Sequence, residues 1–208
     1  MVRPYLWGLL EHDRGFHKSP VLPTDDAHKT ASPIDHADAS VTKAKLSFGT
    51  WEKVADVLVG ADTTSITVTS LNLDADKAYL FMFAVLNPTA SDSVYDIFLN
   101  NDTNPGNYYG QYIYGTYRTI NVDRVNEPRV GAAGAGSEGF FKGMMMRPAG
   151  REPRWFVDQQ YYEPSVVELL IWAEAWTTSA NVTQVQIAAS VANAIGAGSR
   201  LIIFKVSA

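Results

Sequence analysis

From Ser65 to Val206 the chain is a succession of short segments, either alternating with period two or apolar on both parities, with Gly, Pro, Asn or Ser between most of them. That pattern confines it to strand-built folds, because a helix long enough to be stable needs a 3.6-residue repeat sustained over ten residues or more. Ser65-Ile66-Thr67-Val68-Thr69 alternates and is rich in β-branched residues, and Leu71 to Asp76 is turn-prone. Tyr79 to Leu86 is apolar on both parities, which predicts a strand covered on both faces, ended by Asn87-Pro88. Tyr95, Ile97 and Leu99 share one face of the next strand, which runs into the turn-rich loop Asn100 to Gly106. Tyr108–Ile120, Phe140–Met146, Trp155–Tyr161, Val166–Trp176, Val182–Ile187 and Leu201–Val206 complete the set. Roughly eight to ten strands of this kind predict an all-β protein, an antiparallel β-sandwich of jelly-roll-like type.

Ser165 to Trp176 has enough Leu, Ala and Glu to compete for helix. Its unbroken apolar parity, Val167, Leu169, Ile171, Ala173 and Ala175, with Glu168 and Glu174 on the other, favours a strand whose glutamates are exposed or sit at an interface. The Ala-rich Gln186 to Ile195 is the place where a helical turn fits best; its state is left open.

The chain changes character near Lys45. Residues 1–45 are polar, balanced in charge, punctuated by Pro4, Pro20, Pro23 and Pro33, and contain all four histidines, His12, His17, His28 and His36. Such a stretch cannot build a core alone, so it reads as an extended N-terminal arm and linker, with the sandwich occupying 46–208. No run approaches the roughly 18 to 20 apolar residues of a membrane span, and Glu11, His12 and Asp13 end the apolar stretch Tyr5–Leu10 too early for an export signal. The expectation is a soluble protein with no membrane partner. The net charge of -5 argues against a nucleic-acid partner, which would call for a basic face.

Absence of cysteine rules out disulfides and thiolate chemistry. Gly134-Ala135-Gly136-Ser137-Glu138-Gly139 matches G-x-G-x-x-G, but a strand follows it and Pro148, Gly150 and Pro153 forbid a long helix, so no dinucleotide site is expected. Ser137 has no histidine in the sandwich to act as its base. Glu168 and Glu174, six residues apart on one strand, would stand about 20 Å apart, beyond the reach of paired-carboxylate glycoside hydrolysis. A cross-strand pair involving Asp96 or Asp158 stays open. The histidine spacings match no metal-ligand pattern. No enzyme, cofactor, catalytic residue or metal site is therefore expected. Tyr108, Tyr109 and Tyr112 cluster where exposed rings would stack on sugars, though tyrosines of this kind are also ordinary packing residues.

One pattern goes beyond composition. Ile34-Asp35-His36-Ala37-Asp38-Ala39-Ser40-Val41-Thr42-Lys43-Ala44-Lys45-Leu46 resembles the linker before the head domains of phage tail-fibre and head-fibre proteins, with Ala37 and Ala39 where Pro and Gly often stand. Leu73 to Tyr79 and the closing Gly196 to Leu201 are similar to sandwich domains of phage and archaeal-virus virion proteins. The resemblance implies a component of the virion surface, such as a capsid decoration, head fibre, tail fibre or spike, that forms a homotrimer of jelly-roll heads. In that setting Tyr5, Trp7, Leu9, Leu10 and Phe16 would anchor the arm on a capsid or portal-proximal partner. The heads would associate by burying apolar strand faces, among them those bearing Trp172 and Trp176, and Tyr108, Tyr109 and Tyr112 would serve host-glycan attachment in the alternative reading of a receptor module.

Overall fold

The computed structural model describes residues 50–116, 119–163 and 166–207. The arm, residues 1–45, lies outside them, and Gly49–Ala208 groups as one unit. Twelve strands are present among the described residues: β1 Thr50–Leu58, β2 Ser65–Val68, β3 Ala78–Leu86, β4 Ser93–Leu99, β5 Tyr108–Thr116, β6 Thr119–Val125, β7 Arg129–Ala133, β8 Glu138–Met146, β9 Arg154–Glu163, β10 Val166–Trp176, β11 Val185–Ala189 and β12 Arg200–Ser207. A single helical turn, α1 Leu73–Asp76, begins at Asn72, whose side chain accepts from the Ala75 amide.

All strand pairs are antiparallel, in two sheets: β1-β12-β3-β8-β9-β10-β5-β6 and β2-β11-β4-β7. The first four strands of the larger sheet, β1-β12-β3-β8, and the four of the smaller sheet alternate in chain order as an eight-strand jelly roll does. Two hairpin-like excursions, β5-β6 after β4 and β9-β10 after β8, add four strands to one edge of the larger sheet. The protein is therefore an all-β sandwich with a jelly-roll winding and a four-stranded extension.

The core follows from period two. Tyr79, Phe81, Phe83 and Val85 of β3 face Tyr95, Ile97 and Leu99 of β4, and all are buried. Phe83, Tyr95 and Phe141 form a triangle with each pair of ring centroids 5.8 Å apart, and the Tyr95 hydroxyl donates to the Ala194 carbonyl at 2.8 Å. Buried Asn87 ends β3 and donates to the carbonyls of Ser91, Ala133 and Gly134, tying that end to the loop before β8.

Several expectations need correction. Tyr108–Ile120 is not one strand; it spans β5 and the start of β6. β1, β6 and β7 carry too little apolar contrast to have been read from sequence. Gln186 to Ile195, left open by the sequence, begins inside β11, passes through a turn and ends at Ile195, which bridges Thr63. Tyr79–Leu86 is covered on one face, while Ala84 and Leu86 on the other are exposed. β10 is a strand as expected, but with its faces exchanged: Trp172, Glu174 and Trp176 point inward, and Ile171 and Ala173 point out.

Candidate functional site

The chemically unusual groups sit on the four-stranded extension and the sandwich edge beneath it. Glu174 of β10 lies in a cross-strand row between Trp155 of β9 and Gly110 of β5. A side chain at position 110 would place its Cβ 2.2 Å from Glu174 Oε2, so the absence of one is what lets the carboxyl lie down across β5. Glu174 is only 4% exposed, and neither of its carboxyl oxygens has a hydrogen-bond partner among the described residues. Burial above all, reinforced by the nearby charge of Asp96 and opposed by Arg129, pushes its pKa up to about 9. At neutral pH it is an uncharged acid.

Asp96 of β4 and Arg129 of β7 face this acid. Arg129 Nε stands 3.7 Å from Asp96 Oδ1, an ion pair too long to be a hydrogen bond. The same guanidinium pairs with Glu127 and lies over the Trp172 ring, 5.8 Å from its centroid. Burial pushes the Asp96 carboxyl up in spite of Arg129. The indole nitrogens of Trp155 and Trp172 are also buried without a hydrogen-bond partner among the described residues. Unpaired donors and acceptors are thus concentrated where the extension overhangs the smaller sheet, a place where buried polar groups normally find partners.

An open pocket of about 610 Å³ is lined by β5, β6, β9 and β10, including Tyr109, Gln111, Arg124, Arg154, Trp155 and Glu174. The guanidinium groups of Arg124 and Arg154 are exposed and make no ion pair or hydrogen bond among the described residues.

The three tyrosines expected to form a sugar platform are not presented together. Tyr108 is 1% exposed, its hydroxyl donating to the Asp102 carbonyl at 2.7 Å and accepting from the Leu99 amide at 3.0 Å. Tyr112 is half-buried and stacks on Trp172 with centroids 4.7 Å apart. Strand alternation turns Tyr109 to the opposite face, where it is 43% exposed and donates to Glu152 at 2.8 Å. Tyr5, Trp7, Leu9, Leu10 and Phe16 lie outside the described residues, as does the side chain of Glu168. Asp158 pairs with Lys142 at 2.9 Å on the outer face. The G-x-G-x-x-G segment is the turn from β7 into β8, with no helix after it. Of the potential carboxylate partners, the fold brings Asp96 near Glu174. No histidine or cysteine occurs beyond residue 45 to serve that pair, and no cluster of three potential metal-ligating residues occurs among the described residues.

Sequence reasoning passed over Gly110, Arg124, Arg154, Trp155 and Arg129. Gly110 carried a signal, a glycine among tyrosines in a strand, which marks a close approach by a neighbour.

A second surface stands out on the far side of the larger sheet. The cross-strand row Ile202–Met82–Lys142–Asp158–Ile171–Ile113–Val122 runs from β12 to β6 with a single ion pair interrupting apolar side chains. Beside it lie exposed Phe140, Phe156 and Ile120, the last 77% exposed. Trp172 and Trp176 belong to the opposite, buried face, so neither belongs to this surface.

No helix among the described residues is long and apolar enough to cross a membrane. No family model matches the chain, and no curated protein matches it. A solved structure of a protein of unknown function from Shewanella oneidensis MR-1 aligns at 8% identity over 78% of each chain with a TM-score of 0.18, too low to carry an argument about this one.

Proposed function

We propose that this chain is a non-enzymatic structural protein of a virion surface, a capsid decoration, head fibre or spike. Its N-terminal arm attaches it to the particle and its β-sandwich assembles as a homotrimer. The observation that carries the reading is the apolar outer face of the larger sheet. Monomeric proteins rarely expose contiguous apolar patches beyond a few hundred Å², and a row with Met, Ile or Val on five of the seven strands it crosses suits burial against further copies of the same head. The jelly-roll winding agrees with the resemblance of the linker and closing segment to virion proteins, although a fold alone does not assign function. The test is the native mass of the full chain beside a chain beginning at Lys45. Trimers in both would place assembly in the sandwich; monomers in both would remove the trimer. Deleting residues 1–16 is expected to abolish attachment to particles while the head stays folded.

A second reading, a carbohydrate-binding receptor module of a tail fibre, is favoured by the open pocket beside exposed Tyr109. Loss of glycan binding on Tyr109→Ala would support it, and unchanged binding would count against it.

A further inference from the structure

From two exposed arginines that make no ion pair among the described residues and that share one sheet face and one open pocket with exposed Tyr109, we infer that this pocket binds an acidic saccharide, a sugar carrying a carboxylate. The inference rests on the receptor-module reading and names its site and ligand class.

The pocket is built wholly on the extension, by β5, β6, β9, β10 and the residue after β6, and by none of the jelly-roll strands. Sites grafted on a common scaffold are where function is expected to differ between proteins of one fold. Its volume, about 610 Å³, suits a ligand of a few sugar rings at most.

Charge decides the ligand class. The chain carries -5 overall, yet the charged groups in this lining are Arg124 and Arg154. The one acid among the lining residues, Glu174, turns its carboxyl to the opposite, inner face of the sheet, and the carboxylate at the rim is Glu152, which accepts from the Tyr109 hydroxyl. With two guanidinium groups against one rim carboxylate the pocket is net positive in a negative protein, and among the described residues no carboxylate pairs with those guanidinium groups. Planar guanidinium forks match carboxylates in bidentate geometry. The rest of the lining suits hydroxyls and ring faces: Gln111 and Asn126 donate and accept, and the exposed Tyr109 ring offers a stacking surface at the rim.

The experiment is calorimetric titration of the full chain with trisaccharides of galacturonic acid, glucuronic acid and sialic acid. The galactose trisaccharide serves as neutral counterpart and inorganic phosphate as plain anion. At least one acidic trisaccharide is expected to bind at least tenfold more tightly than the galactose trisaccharide and phosphate. Arg124→Ala and Arg154→Ala should each weaken it at least fivefold, with near-ultraviolet dichroism unchanged since both side chains are exposed. Failure of all three acidic probes, or binding indifferent to both arginine replacements, overturns the inference. Phosphate bound as tightly as the sugars reduces the pocket to an anion site and also overturns it. Galactose trisaccharide bound equally well, and lost on Tyr109→Ala, overturns the acidic-sugar inference while leaving the receptor-module reading standing.

Discussion

A carboxyl group buried without a partner costs the folded state stability whenever the unfolded chain would ionise it. For Glu174 the ordinary value is 4.5 and the folded value about 9. Below the lower value both states hold the proton and the group is neutral to folding. Between the two the unfolded state loses its proton and the folded state keeps it, so stability falls as pH rises, and the fall ends above the upper value. Glu174→Gln, which keeps the shape and removes the titration, is expected to leave thermal stability at pH 4.5 nearly unchanged. At pH 8 it should raise stability by roughly 1–3 kcal/mol, a few degrees in Tm. A wild-type pH slope that persists in the variant would show that Glu174 is not its source. Gly110 supplies an independent check on the same geometry. Gly110→Ala puts a methyl into the carboxyl group and should cost about 1–3 kcal/mol in denaturant unfolding, most of which should disappear in combination with Glu174→Ala. Additive costs would mean that the two positions do not touch.

At the scale of elements, the extension is fastened to the sandwich by the loop between β4 and β5. Asp102 accepts from Trp176 Nε1 at 2.7 Å, from Asn107 Nδ2 at 2.8 Å and from the Asn104 amide at 3.2 Å. Burial pushes its carboxyl up, but those hydrogen bonds outweigh burial and hold it below the ordinary carboxylate value. Asp102→Ala leaves the Trp176 indole nitrogen without its acceptor at the end of β10. The expected cost is about 1–3 kcal/mol, read by tryptophan fluorescence during urea unfolding, and unchanged stability would mean that the loop is not a fastening. Because the wild-type carboxyl is depressed, that contribution is present above the ordinary Asp value and lost as pH falls through the folded one. The strands of the sandwich were legible because Tyr95-Ile97-Leu99 and Ser65 to Thr69 state their faces by simple alternation. The extension was not legible in the same way. On β10 both parities are largely apolar, and the rule that charge points outward chose the wrong one. The interior took the parity holding two tryptophans, and Glu174 came with them. Between the end of β5 at Thr116 and the start of β6 at Thr119 the sequence has no Asn-Gly or Pro to mark a hairpin. Arg124 and Arg154 lie 30 residues apart, and only the order β9-β10-β5-β6 brings them to one pocket.

For the whole molecule, an outer face this apolar needs a physical account, because the interior already satisfies the core. The open edges are unequal. β1 is irregular between Lys53 and Ala55 and carries the Asp56 carboxylate, paired with both Lys53 and Arg200, features that discourage strand addition. β6, at the other edge, is seven residues long and regularly paired to β5, and it presents Ile120 and Val122, the latter 66% exposed. The apolar row therefore reaches an open sheet edge, which fits burial in an assembly better than permanent exposure to water. Replacing Ile171 and Phe156 together by Asp and Lys puts opposite charges into the centre of the face without touching the buried parity of β9 or β10. For the proposed homotrimer the pair of replacements should convert the native mass to that of a monomer, with the unfolding midpoint of the isolated head moved by no more than a few degrees. A trimer that survives both charges would locate its interface away from the outer sheet face and leave those apolar rows to contact a different partner.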